Sequence, residues 1–211
     1  MLRRTFIATV ASAIGAAMGW PLALAADETG ALLARVRQRL VDAPVQRGEF
    51  EQRKTVRGFK HALISRGDYL VARERGVLWH TREPFESTLV VTRERLLARQ
   101  ADGSVTTRLE AREEPALRAI NEMLFALMAG DFQALAERFR IEGELRDGHW
   151  HLALTPRDAA LAQWIAGIDI EGDRHLRQVN LREARGDSSV LRFSAPSVAQ
   201  SLTPEEEARF D

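Results

Sequence analysis

The sequence of 211 residues contains no cysteine. That absence excludes disulfide scaffolds, cysteine-ligated zinc, thiol nucleophiles and a lipid-modified N-terminal cysteine. Lysine is nearly missing too, because only Lys54 and Lys60 occur and the other 28 of the 30 basic residues are arginine. Since 30 acidic residues balance them, the formal net charge is zero. A chain without a basic excess is not expected to bind nucleic acid.

Common catalytic signatures are missing as well. The chain has no P-loop, no Rossmann glycine run, no HExxH pair and no GxSxG turn. His149 and His151 share one face of a predicted strand and could form half of a zinc site, but no third ligand lies nearby in sequence. We expect no metal, no cofactor and no enzymatic activity. A hydrolase that uses these two histidines is an alternative that the sequence leaves open.

The first 25 residues have the features of a secretory signal peptide. They contain no acidic residue, begin with Arg3 and Arg4, continue as an apolar run over 6–18 and end in an Ala-Leu-Ala motif. Cleavage is predicted before Ala26, and both the general and the twin-arginine export routes fit. The alternative, a membrane anchor, is disfavoured because the run is short for a span of about 20 residues.

Removal of this leader leaves a mature chain of 186 residues, expected to form a single domain over 26–211. Its charge becomes −2, because 28 basic residues then face 30 acidic ones. No later apolar run approaches 18 residues, so we expect the mature protein to be soluble. An exported chain without cysteine suggests the bacterial periplasm.

Helical periodicity occurs at a few places in the mature chain. Leu32, Leu33, Val36 and Leu40 predict a helix over 28–41. Further helices are predicted over 115–129, 132–137 and 157–164. The polar tail over 203–211 is predicted to be frayed.

Short extended segments make up most of the rest. The predicted strands are 45–54, 62–72, 76–82, 87–92, 95–100, 103–109, 138–145, 149–155, 166–171, 175–184 and 188–194. Short links join them, so they are expected to pair with sequence neighbours in one antiparallel sheet. A sheet that wide must curl to protect its edges, and the apolar helices need a surface to cover. The predicted fold is therefore mainly β, a strongly curved sheet with helices over an apolar cavity.

An ordered set of motifs follows the first predicted helix. Its members are Phe50, Gln52, Gly67, Arg73, Trp79 and Pro84. They form an F-x-Q strand, then a strand that begins with glycine and ends in arginine, then a tryptophan six residues later and a proline. Farther on, the segment 149–156 ends in Leu-Thr-Pro. This succession resembles the LolA family of periplasmic outer-membrane lipoprotein carriers.

The resemblance implies an incomplete half-barrel of eleven antiparallel strands with helices as a lid over an apolar cavity. It implies a monomeric carrier that binds acyl chains of a lipoprotein or lipid and moves this cargo from the inner towards the outer membrane. The expected partners are an inner-membrane donor complex and an outer-membrane acceptor. The alternative is a lipid-sensing or regulatory module on the same fold, because fold does not fix function.

Arg73 is the residue to which the resemblance assigns a specific role. The matching arginine in the carriers ties the lid shut through hydrogen bonds to main-chain carbonyls, for which five N–H donors and a permanent charge are suited. Proline follows this arginine in the family, whereas Glu74 stands here and could pair with Arg73 or Arg75. This difference and a changed turn after Val91 indicate a divergent member, whose cargo could be a glycolipid or a lipid-linked pigment.

Further residues are expected at the cavity or in the frame around it. Residues predicted to line the cavity are Trp79, Leu89, Val91, Met123, Leu124, Leu127 and Met128. Methionine suits this role because its side chain repacks readily. Phe50, Gln52, Gly67 and Pro84 are expected to be structural.

Overall fold

A computed structural model of the chain describes residues 21–110, 125–126 and 130–210, without the side chains of 21–27. Its helices with defined bounds are α1 Pro21–Arg39, α2 Phe132–Arg138, α3 Ala159–Ala162 and α4 Pro204–Ala208. Phe125 and Ala126 are also helical, but most of the helix predicted over 115–129 lies outside the described residues. Within the described ranges, no helix is long and apolar enough to cross a membrane.

One antiparallel sheet contains all the described strands. In chain order these are β1 Val45–Thr55, β2 Leu63–Ala72, β3 Gly76–Glu83, β4 Ser87–Val91, β5 Arg95–Gln100, β6 Val105–Glu110, β7 Phe139–Arg146, β8 His149–Pro156, β9 Ile165–Gly172, β10 Leu176–Glu183 and β11 Ser188–Ala199. Their order in space is β6-β5-β4-β3-β2-β1-β11-β10-β9-β8-β7. The edge strands β6 and β7 do not pair with each other within the described ranges, so the sheet is open. The predicted half-barrel of eleven strands is confirmed.

The pairing of β1 with β11 joins two meanders into this sheet. It runs from Val45 opposite Ala199 to Thr55 opposite Ser188. A bulge interrupts it where β11 passes Ala195, which has a φ of 47°, and Pro196. The sequence predicts that β11 ends at 194, because proline cannot donate to a strand ladder. The bulge accommodates the proline, and the strand continues for five more residues.

Each face of the sheet carries its own apolar core. On the face covered by α1 and α2, called here the inner face, Leu33 and Val36 of α1 pack over strand residues from both meanders. On the opposite outer face, a smaller cluster surrounds Phe210. Its strand members are Val45, Leu70, Ala72, Leu78, Val90 and Leu97. The alternation of side chains along β2 supplies both cores, since Tyr69 and Val71 point inward while Leu70 and Ala72 point outward.

The C-terminal segment is ordered on the outer face, so the prediction of a frayed tail is wrong. Thr203 and Glu206 form a capping box, in which each side chain accepts a hydrogen bond from the other residue's backbone N–H, at 3.2 and 2.8 Å. Phe210 is only 2% exposed and fills the outer core. Burial of this one aromatic ring stabilises the docking of a segment that is otherwise polar.

Arginines of the sheet hold α4 in place. Arg47 of β1 donates two hydrogen bonds of 2.5 Å to the Glu206 carboxylate. Three more arginines donate to carbonyls at the end of this segment: Arg75 to Glu207 at 3.4 Å, Arg99 to Arg209 at 3.5 Å and Arg95 to Phe210 at 2.8 Å. The Arg209 and Phe210 carbonyls lie beyond the last helical turn, and the guanidinium groups satisfy them; the Glu207 carbonyl also accepts from the Phe210 N–H at 3.1 Å.

Replacement of Phe210 by alanine should destabilise the fold. We expect the free energy of unfolding to fall by about 3 kcal/mol, because a buried ring is lost from the outer core. Urea denaturation of the mature protein measures this change. Phe85→Ala is the matched control, since Phe85 is 83% exposed and its loss should change stability by no more than about 0.5 kcal/mol. Equal effects of the two substitutions would contradict the docking of the tail.

The ion pair of Arg47 and Glu206 should make stability depend on pH. The hydrogen bonds from Arg47 lower the pKa of Glu206 from 4.5 to about 2. Because the folded-state pKa lies below the unfolded one, this stabilisation is complete above pH 4.5 and is lost as the pH falls towards 2.

We expect Glu206→Gln to lower the free energy of unfolding at pH 7 by about 2 kcal/mol, after allowance for partial exposure. The difference from the wild type should shrink steadily between pH 4.5 and pH 2 in urea titrations. Glu205→Gln, at the exposed neighbouring position, should show no such trend. A difference for Glu206→Gln that does not vary with pH would exclude this ion pair as its source.

Candidate functional site

A cavity of about 1010 Å³ lies between α1, the loop from α1 to β1, the end of β2 and the start of α2. Its apolar wall is formed by Leu33, Ala34, Val71, Phe125, Ala126 and Phe132. The volume is at the upper end of the range of about 300–1,000 Å³ that is typical of ligand sites. The cavity can therefore hold a ligand with a large apolar part.

The polar wall of the cavity consists mainly of hydrogen-bond donors. Its charged and amide residues are Arg37, Arg73, Arg93, Gln38, Gln46, Gln133 and Asp131. The Asp131 carboxylate is already used, because it caps α2 by accepting a hydrogen bond of 3.1 Å from the Ala134 N–H. This arrangement can bind a group rich in acceptors.

Arg73 links the β2–β3 turn to the loop that follows α1. Its backbone N–H donates to the Pro44 carbonyl at 2.9 Å. Its guanidinium contacts the Asp42 carboxylate and lies 3.5 Å from the Ala43 carbonyl. The side chain is thus in position to tie this loop to the sheet beside the cavity. The role of Arg73 as a latch that cargo releases stays a prediction.

Asp42 is the main partner of Arg73, and no sequence pattern predicts this contact. The Asp42 carboxylate also accepts a hydrogen bond of 3.2 Å from Arg37 of α1. The hydrogen bonds from Arg73 and then Arg37 hold the pKa of Asp42 below its ordinary value of 3.8. Glu74 is exposed and, within the described part of the chain, does not contact Arg73. Its replacement of the family's proline therefore leaves the Arg73 contacts in place.

The predicted cavity residues of the sheet lie in the inner core and not in the walls of this cavity. Trp79 packs against Phe50 and Phe193, with ring centroids 4.0 and 6.0 Å apart. Val91 is 1% exposed, and Leu89 packs against the same core. Contact of these three residues with cargo stays a prediction. Met123, Leu124, Leu127 and Met128 lie outside the described residues.

The residues expected to be structural lie on β1, on β2 and after β3. Gly67 has a clear requirement, because a Cβ there would come within 1.8 Å of the His80 carbonyl oxygen. Gln52 pairs with Ser65 of β2 in the sheet register, and Pro84 directly follows β3. Phe50 is buried beside Trp79.

The two histidines of β8 are exposed, on the opposite side of the strand from the buried Trp150. His151 Nε2 lies 3.8 Å from Asp169 Oδ1. Among the residues that the structure describes, no three His, Cys, Asp or Glu side chains are grouped as a metal site. His149 and His151 do not line the cavity.

Replacement of Asp42 by asparagine should loosen the loop before β1. The charge that two guanidinium groups share is removed, so we expect amide exchange of residues 40–46 and of the Arg73 N–H to become about two- to fivefold faster. Hydrogen exchange followed by mass spectrometry or NMR measures this. Glu74→Gln is the control and should leave these amides unchanged. Equal exchange in both variants would show that Asp42 does not hold the loop.

Comparison with solved structures finds matches at low sequence identity. A LolA superfamily protein from Nitrosomonas europaea is 12% identical, with a TM-score of 0.46 over 83% of this chain and 95% of that chain. A DUF1329 family protein from Desulfovibrio piger is 14% identical, with a TM-score of 0.49 over 87% and 96%. A domain from Vibrio parahaemolyticus, proposed to come from an outer membrane lipoprotein-sorting protein, is 12% identical, with a TM-score of 0.44 over 87% and 98%. No curated protein sequence matches the chain.

A family match covers nearly the whole chain. The sequence profile of the family described as "Outer membrane lipoprotein carrier protein LolA-like" matches residues 25–209. This range contains all eleven strands, the cavity walls and Arg73. The resemblance found from the motifs is confirmed, and the chain belongs to the LolA-like family of outer membrane lipoprotein carrier proteins.

Proposed function

We propose that the protein is a periplasmic carrier that holds acyl chains of a lipid or lipoprotein in the cavity beneath α1 and delivers them towards the outer membrane. The observation that carries this proposal is the cavity of about 1010 Å³ with its apolar wall, in a chain of the LolA-like family. The predicted signal peptide supports the location. An inner-membrane donor and an outer-membrane acceptor would be the partners.

The energetics of lipid transfer explain why a carrier is needed. Burial of an acyl chain contributes about 0.8 kcal/mol per methylene, so a sixteen-carbon chain leaves a membrane at a cost of about 12 kcal/mol. The carrier must offset most of this cost with its own apolar surface and still release the chain. The exposed contact of Arg73 with Asp42, both about half exposed, is weak enough to break reversibly.

We propose binding without covalent chemistry. The described walls of the cavity contain no histidine, serine, threonine or lysine that could act as a nucleophile or a general base. Their one carboxylate, Asp131, is engaged as a helix cap. The arginines are permanently protonated and cannot accept a proton. The cavity chemistry therefore favours a binding protein over a hydrolase.

A bulky residue in the cavity should reduce lipid binding. Ala34 is an exposed residue of α1 that lines the cavity, so Ala34→Trp should displace at least two methylenes of bound cargo. At about 0.8 kcal/mol each, the affinity for a fluorescent acyl probe should fall by about tenfold. Ala160→Trp, at an exposed position of α3 outside the cavity, is the matched control and should bind like the wild type.

The outcomes separate the possible functions. Probe binding that Ala34→Trp does not weaken would place the lipid outside this cavity. Wild-type protein that binds no probe, and carries no lipid from its native periplasm, would overturn the carrier proposal. Protein that binds lipid but moves none to acceptor vesicles or to an outer-membrane acceptor would favour the lipid-sensing module instead.

A further inference from the structure

The cavity has more positive charge than an apolar ligand requires. Arg37, Arg73 and Arg93 line it, each with N–H donors and no acceptor. The amide groups of Gln38 and Gln133 add further donors to the lining. A site for a purely apolar chain gains nothing from such groups, because a charged side chain beside hydrocarbon loses part of its hydration.

The nearby carboxylates do not neutralise this charge. The single Asp42 carboxylate forms ion pairs with both Arg37 and Arg73, so one of these two positive charges is uncompensated. Asp131 adds one more negative charge while it caps α2, so the three arginines face two carboxylates and a net charge of +1 remains among the described residues. Arg93 contacts no carboxylate within the described ranges of the chain.

The glutamates next in sequence do not change this balance. Glu74 and Glu94 directly follow Arg73 and Arg93, but neither lines the cavity. Glu94 forms part of the β4–β5 turn, where its backbone N–H donates to Thr92 Oγ1 at 3.2 Å. In the part of the chain that the structure describes, neither glutamate forms an ion pair with these arginines. As far as the described residues show, the donors that line the cavity are therefore open to an external anion.

We infer that the cargo is an anionic amphiphile, whose phosphate or carboxylate head binds Arg37, Arg73 and Arg93 while its acyl chain lies along Leu33, Val71 and Phe132. This inference rests on the proposed carrier function and names the chemical class of its cargo. The head competes with Asp42 for Arg37 and Arg73. Entry of the cargo therefore weakens the contact that ties the α1–β1 loop to the β2–β3 turn.

Displacement of a neutral fluorescent acyl probe by chain-matched amphiphiles tests the inference on the mature protein. The displacers are dodecyl phosphate, dodecanoate, dodecyl maltoside and dodecyltrimethylammonium, each below its micelle concentration. We expect both anions to bind about tenfold more tightly than the maltoside, a difference of about 1.4 kcal/mol. The cationic amphiphile should bind least tightly. The preference for anions should shrink as salt rises, since the arginines are partly exposed.

Arg93→Gln and the double variant Arg37→Gln/Arg93→Gln locate the head. Each should reduce the preference for dodecyl phosphate over the maltoside by about three- to tenfold while maltoside binding stays constant. Arg35→Gln is the matched control on α1, because Arg35 is exposed and does not line the cavity. Inorganic phosphate, tested as a competitor, distinguishes a headgroup site from a site for the free anion.

Equal affinity for the phosphate and the maltoside would overturn the inference and leave the carrier function standing. Unchanged anion preference in the Arg37→Gln/Arg93→Gln variant, or the same loss in Arg35→Gln, would also overturn it. If inorganic phosphate competes as strongly as dodecyl phosphate, the arginines form a site for the free anion and not for the head of an amphiphile, which would also overturn the inference. If no amphiphile and no probe binds, the proposed function fails together with the inference.

Discussion

The pairing of β1 with β11 joins the two meanders and sets the positions of the helices on both faces of the sheet. Val45 at the start of β1 lies between Ala72 at the end of β2 and Ala199 at the end of β11. The segments before β1 and after β11 therefore leave the sheet at the same end, beside the β2–β3 turn. The first of them leads to α1 on the inner face, and the second to α4 on the outer face.

In this geometry, residues of the β2–β3 turn form contacts on both faces of the sheet. Arg73 reaches inward to Asp42, and Arg75 reaches outward to the Glu207 carbonyl. The cavity lies on the inner side of the turn, whereas Phe210 packs behind it. The outer side is anchored by the buried Phe210 ring, whereas the contact of Arg73 with Asp42 on the inner side is exposed. A firm frame with a weak contact beside the cavity is what the proposed carrier function would require.

Among the described residues, several arginines make contacts that depend on the chemistry of the guanidinium group. The bidentate ion pair of Arg47 with Glu206 requires the planar guanidinium group, which lysine lacks. Arg95 reaches a carbonyl at the chain end, and Arg73 joins a carboxylate and a carbonyl. Many of the remaining arginines form exposed ion pairs, such as Arg140 with Glu142, that contribute little to stability.

The strands and the pairing of neighbours within each meander were predictable from the sequence because alternation and hairpin turns are local signals. The pairing of β1 with β11, in place of β6 with β7, was not predicted, because no local signal links strands from the two ends of the domain. The helix α4 was missed because the tail contains a single large aromatic residue, although Thr203 followed by Glu206 has the spacing of a capping box. Asp42 was missed because it meets Arg73 across 31 residues of sequence. Trp79 and Val91 could not be assigned to core or cavity, since both surroundings select the same apolar residues.

The decisive experiment is mass spectrometry of the lipid bound to the protein after purification from its native periplasm without detergent. We expect one bound amphiphile per protein with a phosphate or carboxylate head and at least one acyl chain. Its amount should fall in the Ala34→Trp variant. Protein that carries no lipid, or only lipid that Ala34→Trp retains in full, would contradict the proposed cargo binding in this cavity.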